Sequence, residues 1–137
     1  KHLENYYQTI ATLIIGMTAS LLIYTLFPNA QNMRPTQFTH DNIFTQVISM
    51  LYATDTDTNV LPSIHVFNSL AIHAGLCRYA IHKQKIWRNG SFVLCLLICM
   101  STLFLKQHSF LDVAAAIVLF MIVSWITNIL FRKRTTK

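Results

Sequence analysis

Residues 101–112 place a lysine, a histidine and a carboxylate within seven positions of an otherwise apolar stretch, at Lys106, His108 and Asp112. His108 and Asp112 are four residues apart, so the two side chains lie on one face if the segment that enters the apolar run after Phe110 is helical. A carboxylate there fixes one imidazole tautomer and supports positive charge on the ring, as the orienting acid of a catalytic histidine does. The alternative is a polar first helical turn at a membrane surface.

A second stretch suited to chemistry runs from Pro62 through Ser63 to His65. Pro62 fits the first turn of a helix, and the free N–H groups of that turn, with the Ser63 hydroxyl, would accept an anion. His65 could then protonate a leaving oxygen. Taken alone, His65 suits a hydrogen-bonded packing role equally well. Packing or cavity lining is also our interpretation of three polar residues further along, Asn68, Ser69 and His73.

The composition is that of a membrane protein. Of 137 residues, 53% are hydrophobic and 12% are charged, too apolar for an ordinary soluble fold. Residues 9–27 carry no charge and span about 28 Å as a helix, enough for one hydrocarbon core. We predict an all-α membrane bundle forming one domain over residues 1–137, with spans at about 9–27, 62–82, 87–105 and 110–131 and an outer loop at 28–61. Within that loop, residues 43–52 form a candidate interfacial helix.

Basic residues flank the predicted spans, which accounts for the net charge of +6 without a nucleic-acid partner. Since cytoplasmic loops are rich in Lys and Arg, both chain ends and residues 83–89 are predicted inside, and 28–61 and 106–109 outside. The residues behind this assignment are Lys83, Lys85, Arg88, Arg132, Lys133, Arg134 and Lys137. We therefore predict an integral protein of the cytoplasmic membrane. Five candidate residues then meet at the extracytoplasmic end, which indicates a site: Arg34, His65, Lys106, His108 and Asp112.

Metal and disulfide chemistry find little support in the sequence. Cys77, Cys95 and Cys99 all fall in apolar segments, so neither a disulfide framework nor a zinc site is predicted. A metal site built from both site histidines and Asp112 stays open as an alternative, although no His-Glu-x-x-His spacing is present. We expect no cofactor.

Three short motifs follow one another along the chain: Arg-Pro at 34–35, Pro-Ser-Ile-His at 62–65, and Ser-Thr, five residues, His, three residues, Asp at 101–112. In this order they resemble the motifs of the type-2 phosphatidic acid phosphatase superfamily of membrane lipid-phosphate enzymes. That family has Lys, six residues, Arg-Pro; then Pro-Ser-Gly-His; then Ser-Arg, five residues, His, three residues, Asp. Phe27, Ile64 and Thr102 stand where the family has lysine, glycine and arginine.

The resemblance implies metal-independent phosphoryl transfer through a phosphohistidine. Carried over, His108 is the nucleophile, Asp112 its orienting partner, His65 the acid for the leaving alcohol and Arg34 a phosphate ligand. Because two cationic residues of the family are replaced here, either phosphate is held more weakly or Lys106 substitutes for one of them. We therefore add Lys106 and Ser63 as phosphate-binding candidates. The family usually has six spans with the site on the last four. The chain would then correspond to those four.

Asp55, Asn59 and the Lys-Gln-His-Ser run at 106–109 resemble a subgroup akin to inositol phosphorylceramide and sphingomyelin synthases, and we place both residues, with Ser101, in supporting roles. We expect a membrane phosphohydrolase acting on a lipid phosphate ester or pyrophosphate among membrane lipids. The first alternative is a lipid headgroup phosphotransferase. The second is a catalytically silent transporter or scaffold module, whose histidines form a polar or proton-responsive lining.

Overall fold

The computed structural model describes residues 2–35, 38, 40–55, 58–79 and 85–132. Within these residues the regular structure is α-helical, and the one β-bridge pairs Ala30 with Thr58. The helices are α1 (His2–Leu26), α2 (Ile43–Thr54), α3 (Ile64–Tyr79), α4 (Lys85–Phe104) and α5 (Phe110–Arg132). The all-helical prediction is therefore confirmed for the described part of the chain.

Three of the described helices, α1, α4 and α5, are long and apolar enough to cross a membrane. The prediction of four spans is wrong at the second span, placed at residues 62–82. There α3 has 16 residues, about 24 Å at 1.5 Å per residue, which is shorter than a usual span. It also carries polar residues such as His73 and Arg78. Residues 80–82 of the predicted span lie outside the described residues.

The helix α3 is the central element, because it packs against α1, α4 and α5. Its Val66, Phe67 and Ala71 join Ala116 and Val123 of α5 in the buried apolar cluster. Burial among other helices explains how a polar helix is accommodated here, since ionisable residues in a membrane bundle face protein or water rather than lipid. The centre of the bundle is thus built around the helix that begins at the second motif.

The polar residues within α3 make packing contacts. His73 Nδ1 lies 2.8 Å from Ser91 Oγ of α4, and Arg78 Nη2 donates to Ser124 Oγ of α5 at 3.1 Å. The Ser69 hydroxyl donates to the Val66 carbonyl at 2.9 Å. The bonds of His73 and Arg78 join α3 to its neighbours, as polar contacts between helices do in a membrane, whereas the Ser69 bond lies within α3.

The predicted helix at 43–52 is present as α2, with bounds Ile43–Thr54. It begins with a capping box in which Asn42 and Thr45 bond each other's backbone N–H groups. Four large apolar residues of α2 are exposed, and they share one side of the helix; they are Ile43, Phe44, Val47 and Met50. Tyr52 ties the helix to the α4–α5 connection, since its hydroxyl donates to the Leu105 carbonyl at 2.8 Å.

The sidedness of the bundle stays a prediction. Four of the basic residues that predict the inner face, Lys83, Lys133, Arg134 and Lys137, lie outside the described residues. The three apolar helices fit an integral membrane protein.

Candidate active site

Two histidines from distant parts of the chain lie side by side. His65 is in the first turn of α3 and His108 in the connection between α4 and α5, and their ring centroids are 5.9 Å apart with the ring planes at 63°. Asp112, in the first turn of α5, has its Oδ2 3.7 Å from His108 Nδ1. His108 and Asp112 are buried, whereas His65 is exposed. The structure therefore brings the two histidines and Asp112 together, while His108 Nδ1 makes no hydrogen bond to the carboxylate.

The end of α4 positions His108. The Thr102 carbonyl accepts hydrogen bonds from the backbone N–H groups of Gln107 at 3.0 Å and His108 at 3.1 Å. Lys106 lies in the left-handed region, with φ of 51°, and its N–H donates to the Leu103 carbonyl at 3.0 Å. These bonds form the Schellman motif that commonly terminates helices. It reverses the chain direction, so His108 follows directly after a fixed turn.

The start of α5 positions Asp112 through a second capping box. The Ser109 N–H donates to Asp112 Oδ2 at 2.6 Å, and the Asp112 N–H donates to Ser109 Oγ at 3.3 Å. The Gln31 side-chain amide also donates to Asp112 Oδ2. The Ser63 N–H donates to the Asp112 backbone carbonyl at 3.3 Å, which joins the start of α3 to the start of α5. Asp112 is thus held from three parts of the chain, through its carboxylate by Ser109 and Gln31 and through its backbone carbonyl by Ser63.

The segment that precedes α3 is fastened to the end of α1. Asn29 Oδ1 accepts from the N–H groups of Val60 at 2.8 Å and Leu61 at 2.9 Å. The Asn59 N–H donates to the Asn29 carbonyl, and the Tyr24 hydroxyl donates to the Pro62 carbonyl. These contacts fix the approach to the first turn of α3, where His65 lies.

A cavity of about 130 Å³, which we call the histidine cavity, opens between these segments. Its lining consists of Tyr24, Asp55, Thr58, Asn59, Val60, Ile64, His65, Gln107 and His108. A second space of about 360 Å³, the side cavity, also borders His108. Its other lining residues are Met33, Leu103, Lys106, Ser109 and Phe110. His108 therefore lies between a polar cavity and a more apolar one.

Arg34, predicted as a phosphate ligand, is not among the residues that line the histidine cavity. Its Nη2 lies 2.9 Å from Asp55 Oδ2, its Nη1 donates to the Asp55 carbonyl, and its guanidinium lies 4.9 Å from the Tyr52 ring centroid. Asp55, predicted only as a supporting residue, lines the cavity itself, as does Asn59. The Arg34 guanidinium therefore contacts Asp55, which lines the cavity, and does not line the cavity itself.

Three further predicted residues lie away from the histidine cavity. Ser63 is fully buried, and its hydroxyl accepts from the Val66 N–H at 3.4 Å, which is a helix-capping contact. Ser101 is exposed and donates to the Ile98 carbonyl of its own helix at 2.8 Å. Lys106 borders the side cavity. The structure therefore assembles the two histidines, Asp55, Asn59 and Asp112, but not the predicted phosphate ligands.

Several residues at the site had not been predicted to lie there. Tyr24 and Gln107 line the histidine cavity, and Asn29 and Gln31 hold the loop before α3 and the Asp112 carboxylate. The position of Gln107 next to His108 was a usable signal. The other three lie in or just after the first apolar run, and their roles depend on contacts with residues at least 30 positions away.

Burial lowers the pKa of His108 below its ordinary value, and His65 acts in the same direction. The Asp112 carboxylate opposes the shift without cancelling it. The ring is therefore neutral near neutral pH, as a nucleophilic imidazole must be. Among the described residues, no group of three His, Cys, Asp or Glu side chains is arranged to hold a metal ion. The three cysteines are free thiols.

The fold and the site together define a membrane-helical protein with a His, His and Asp cluster at one end of its bundle. The family model of the PAP2 superfamily matches residues 9–136, and the chain belongs to that superfamily. No curated protein and no solved structure matches the chain. Membership suggests lipid phosphatase or phosphotransferase activity on a lipid-phosphate substrate. The likeness to the inositol phosphorylceramide and sphingomyelin synthase subgroup gains no support from these matches.

Proposed function

We propose that this chain takes phosphate from a lipid phosphate ester onto His108 and then passes it to water or to a second hydroxyl. One observation carries the proposal: the imidazoles of His65 and His108 face one cavity with ring centroids 5.9 Å apart, with Asp112 beside His108. Membership of the PAP2 superfamily supports the same reaction class.

The spacing of the two rings suits a single phosphoryl group held between them. An attacking nitrogen stands about 3–3.5 Å from phosphorus before reaction. A general acid stands about 2.6–3.2 Å from the leaving oxygen. Together these lengths, with the phosphorus–oxygen bond, require two nitrogens several ångströms apart on either side of the phosphoryl group. Ring centroids 5.9 Å apart, both bordering the histidine cavity, place the two imidazoles within reach of one phosphoryl group bound in that cavity.

In the first half of the reaction, neutral His108 attacks phosphorus. The nitrogen–phosphorus bond forms, the ester oxygen leaves, and His65 gives its proton to that oxygen. Asp112 orients the His108 ring and stabilises the positive charge it acquires. In the second half, His65 takes a proton from water or a hydroxyl, whose oxygen attacks phosphorus and releases His108.

The negative charge on the equatorial phosphate oxygens must be stabilised by hydrogen-bond donors or cations. The first-turn N–H groups of α3 are one source, with Ser63 acting there as the cap rather than as a donor. Lys106 is a second source, from the side cavity. Arg34 is a third, and it would exchange the Asp55 carboxylate for phosphate.

The test uses the full chain purified in detergent, with phosphatidic acid and a phosphodiester lipid, each radiolabelled on phosphorus. We expect His108→Ala to abolish turnover and to prevent accumulation of an acid-labile phosphoenzyme. The matched control is His73→Ala, since His73 lies on the same helix as His65 but contacts Ser91 outside the cavity. Turnover unchanged in His108→Ala contradicts the mechanism, and turnover lost on chelation would favour the metal alternative.

The same assay identifies the acceptor. With water as acceptor the label appears in a water-soluble phosphate product. With an added lipid alcohol as acceptor, it appears in a new lipid, which is the headgroup phosphotransferase. Absence of any turnover in a folded preparation supports the silent transporter or scaffold.

A further inference from the structure

The charges on the wall of the histidine cavity are unusual for a site that must bind phosphate. Nine described residues line it; one of them, Asp55, is acidic, and none is Lys or Arg. Phe27, at the position of the family lysine, has an exposed side chain, and Thr102, at the position of the family arginine, has a buried one. The described lining therefore offers a phosphate two imidazoles and several neutral polar side chains, together with one carboxylate.

The Asp55 carboxylate is held in place. Its Oδ2 accepts from Arg34 Nη2 at 2.9 Å and from Gln107 Nε2 at 3.0 Å. Gln107 directly precedes His108, so the carboxylate is tied to the segment that carries the nucleophile. The Asp55 side chain is 41% exposed and that of Arg34 11%, which puts the carboxylate on the open side of the pair.

Like charges brought within a few ångströms in a partly buried site repel strongly. A phosphate monoester carries two negative charges above its second pKa, about 6, whereas a diester carries one. The second charge of a monoester would face the Asp55 carboxylate, while the guanidinium that could offset it is already paired with that carboxylate. Lys106 lies on the other side of His108, at the side cavity.

We propose, building on the proposed function, that Asp55 selects the donor by charge, so that the site accepts a singly charged phosphate diester lipid in preference to a dianionic monoester. In the first step the His108–phosphorus bond forms as one phosphorus–oxygen bond breaks, and the leaving alkoxide takes the proton of His65. The second ester group stays on phosphorus. Water or a hydroxyl then displaces His108 and gives its proton to His65.

The test compares phosphatidic acid with its methyl ester, which has the same acyl chains and the same diacylglycerol leaving group but one negative charge fewer. The assay is run at about pH 8, above the second phosphate pKa of about 6. For the wild-type protein we expect kcat/KM for the methyl ester to exceed that for phosphatidic acid at least about tenfold. Asp55→Asn should shift this ratio about tenfold towards phosphatidic acid.

The matched control is Asp41→Asn. Asp41 is an exposed carboxylate in the same loop between α1 and α3, bonded to Gln46 and absent from the lining of the histidine cavity. We expect it to keep the wild-type ratio. A wild-type preference for phosphatidic acid, or equal ratios in the two variants, overturns the proposal.

Two further arms make the result specific. In an Arg34→Gln background, Asp55→Asn should still shift the ratio; no shift there would mean that the carboxylate acts only by withholding Arg34, which overturns direct charge selection. In His108→Ala protein, the relative affinities of the two lipids, measured by equilibrium binding in mixed micelles, test selection without turnover. Tighter binding of phosphatidic acid overturns the proposal. Turnover that is retained in His108→Ala, with a binding preference for the methyl ester, contradicts only the proposed function.

Discussion

The reactivity of His108 is set by its burial. Burial lowers its pKa below the ordinary histidine value of about 6.5, and the Asp112 carboxylate raises it part of the way back. A protonated ring cannot attack phosphorus, so the acid limb of activity reports this pKa. Asp112 raises the pKa of the ring, and in the proposed mechanism it has a second, separable effect on the orientation of the ring.

We expect the acid limb of kcat/KM to lie below pH 6.5, because the folded-state pKa of His108 is lowered. In Asp112→Asn the charge that raises this pKa is gone, so the limb should move to lower pH. The value of kcat at the plateau should fall by about 10²–10⁴, since ring orientation and charge support are lost. Rate profiles between about pH 4.5 and 8 check both effects. A limb that moves upward in the variant contradicts this assignment.

For individual residues, the sequence indicated which side chains could take part in a reaction better than it indicated which residues they contact. The four-residue spacing of His108 and Asp112 brought these side chains near each other because α5 begins between them. Arg34 shows the limit. Its partner Asp55 is 21 positions away, and only the folded path of residues 28–61 decides whether the guanidinium contacts phosphate or carboxylate. Ser63 was assigned to the anion, but its hydroxyl caps α3 instead.

The turn that ends α4 contains a strained residue, Lys106, that also lies beside the candidate site. Lys106 occupies the left-handed position of a Schellman motif, where glycine is usual. A side chain there costs roughly 1 kcal/mol. The same residue borders the side cavity next to His108. If Lys106 binds phosphate, as proposed, then stability and phosphate binding make opposite demands on one position.

We expect Lys106→Gly to raise the free energy of unfolding by about 1 kcal/mol relative to Lys106→Ala, because glycine removes the strain while both variants lack the ammonium group. If Lys106 contacts phosphate, both variants should raise KM to a similar extent. Denaturant unfolding in detergent, with KM measured on the same preparations, checks the two effects. Equal stabilities of the two variants would contradict the strain argument, and an unchanged KM would remove Lys106 from the binding set.

Over the whole molecule, hydropathy predicted α1, α4 and α5, which are long and apolar enough to cross a membrane, and the motifs named the histidines and Asp112 that lie together at one end of the bundle. Hydropathy also predicted a membrane span at α3, and that prediction was wrong. That segment is apolar enough to be mistaken for one, but it is central and packs on three other helices, so its polar residues have protein partners. A hydropathy pattern does not distinguish a short buried helix from a lipid-facing one. The number of spans was therefore the weakest part of the prediction.

The close approach of α1 to α3 offers a test of the packing that positions His65. A Cβ atom at Gly16 would lie 1.8 Å from the Phe67 ring, whereas one at Gly90 would meet no atom within 4 Å. We expect Gly16→Ala to destabilise the protein by about 1–3 kcal/mol, because the Phe67 ring must move out of the core. Gly90→Ala, the matched control on α4, should be neutral or stabilising by about 0.5–1 kcal/mol, since alanine favours a helix over glycine.

Phe67 lies two residues after His65, so displacement of its ring should also disturb the first turn of α3. The two variants are compared by thermal unfolding in detergent and by kcat on the lipid substrate. Gly16→Ala should lower both the melting temperature and kcat, while Gly90→Ala keeps kcat. A Gly16→Ala protein as stable as the wild type would mean that α1 and α3 are not in contact at this point. The packing of α1 on α3 would then not be what brings Tyr24 and Asn29 to the segment that carries the second motif.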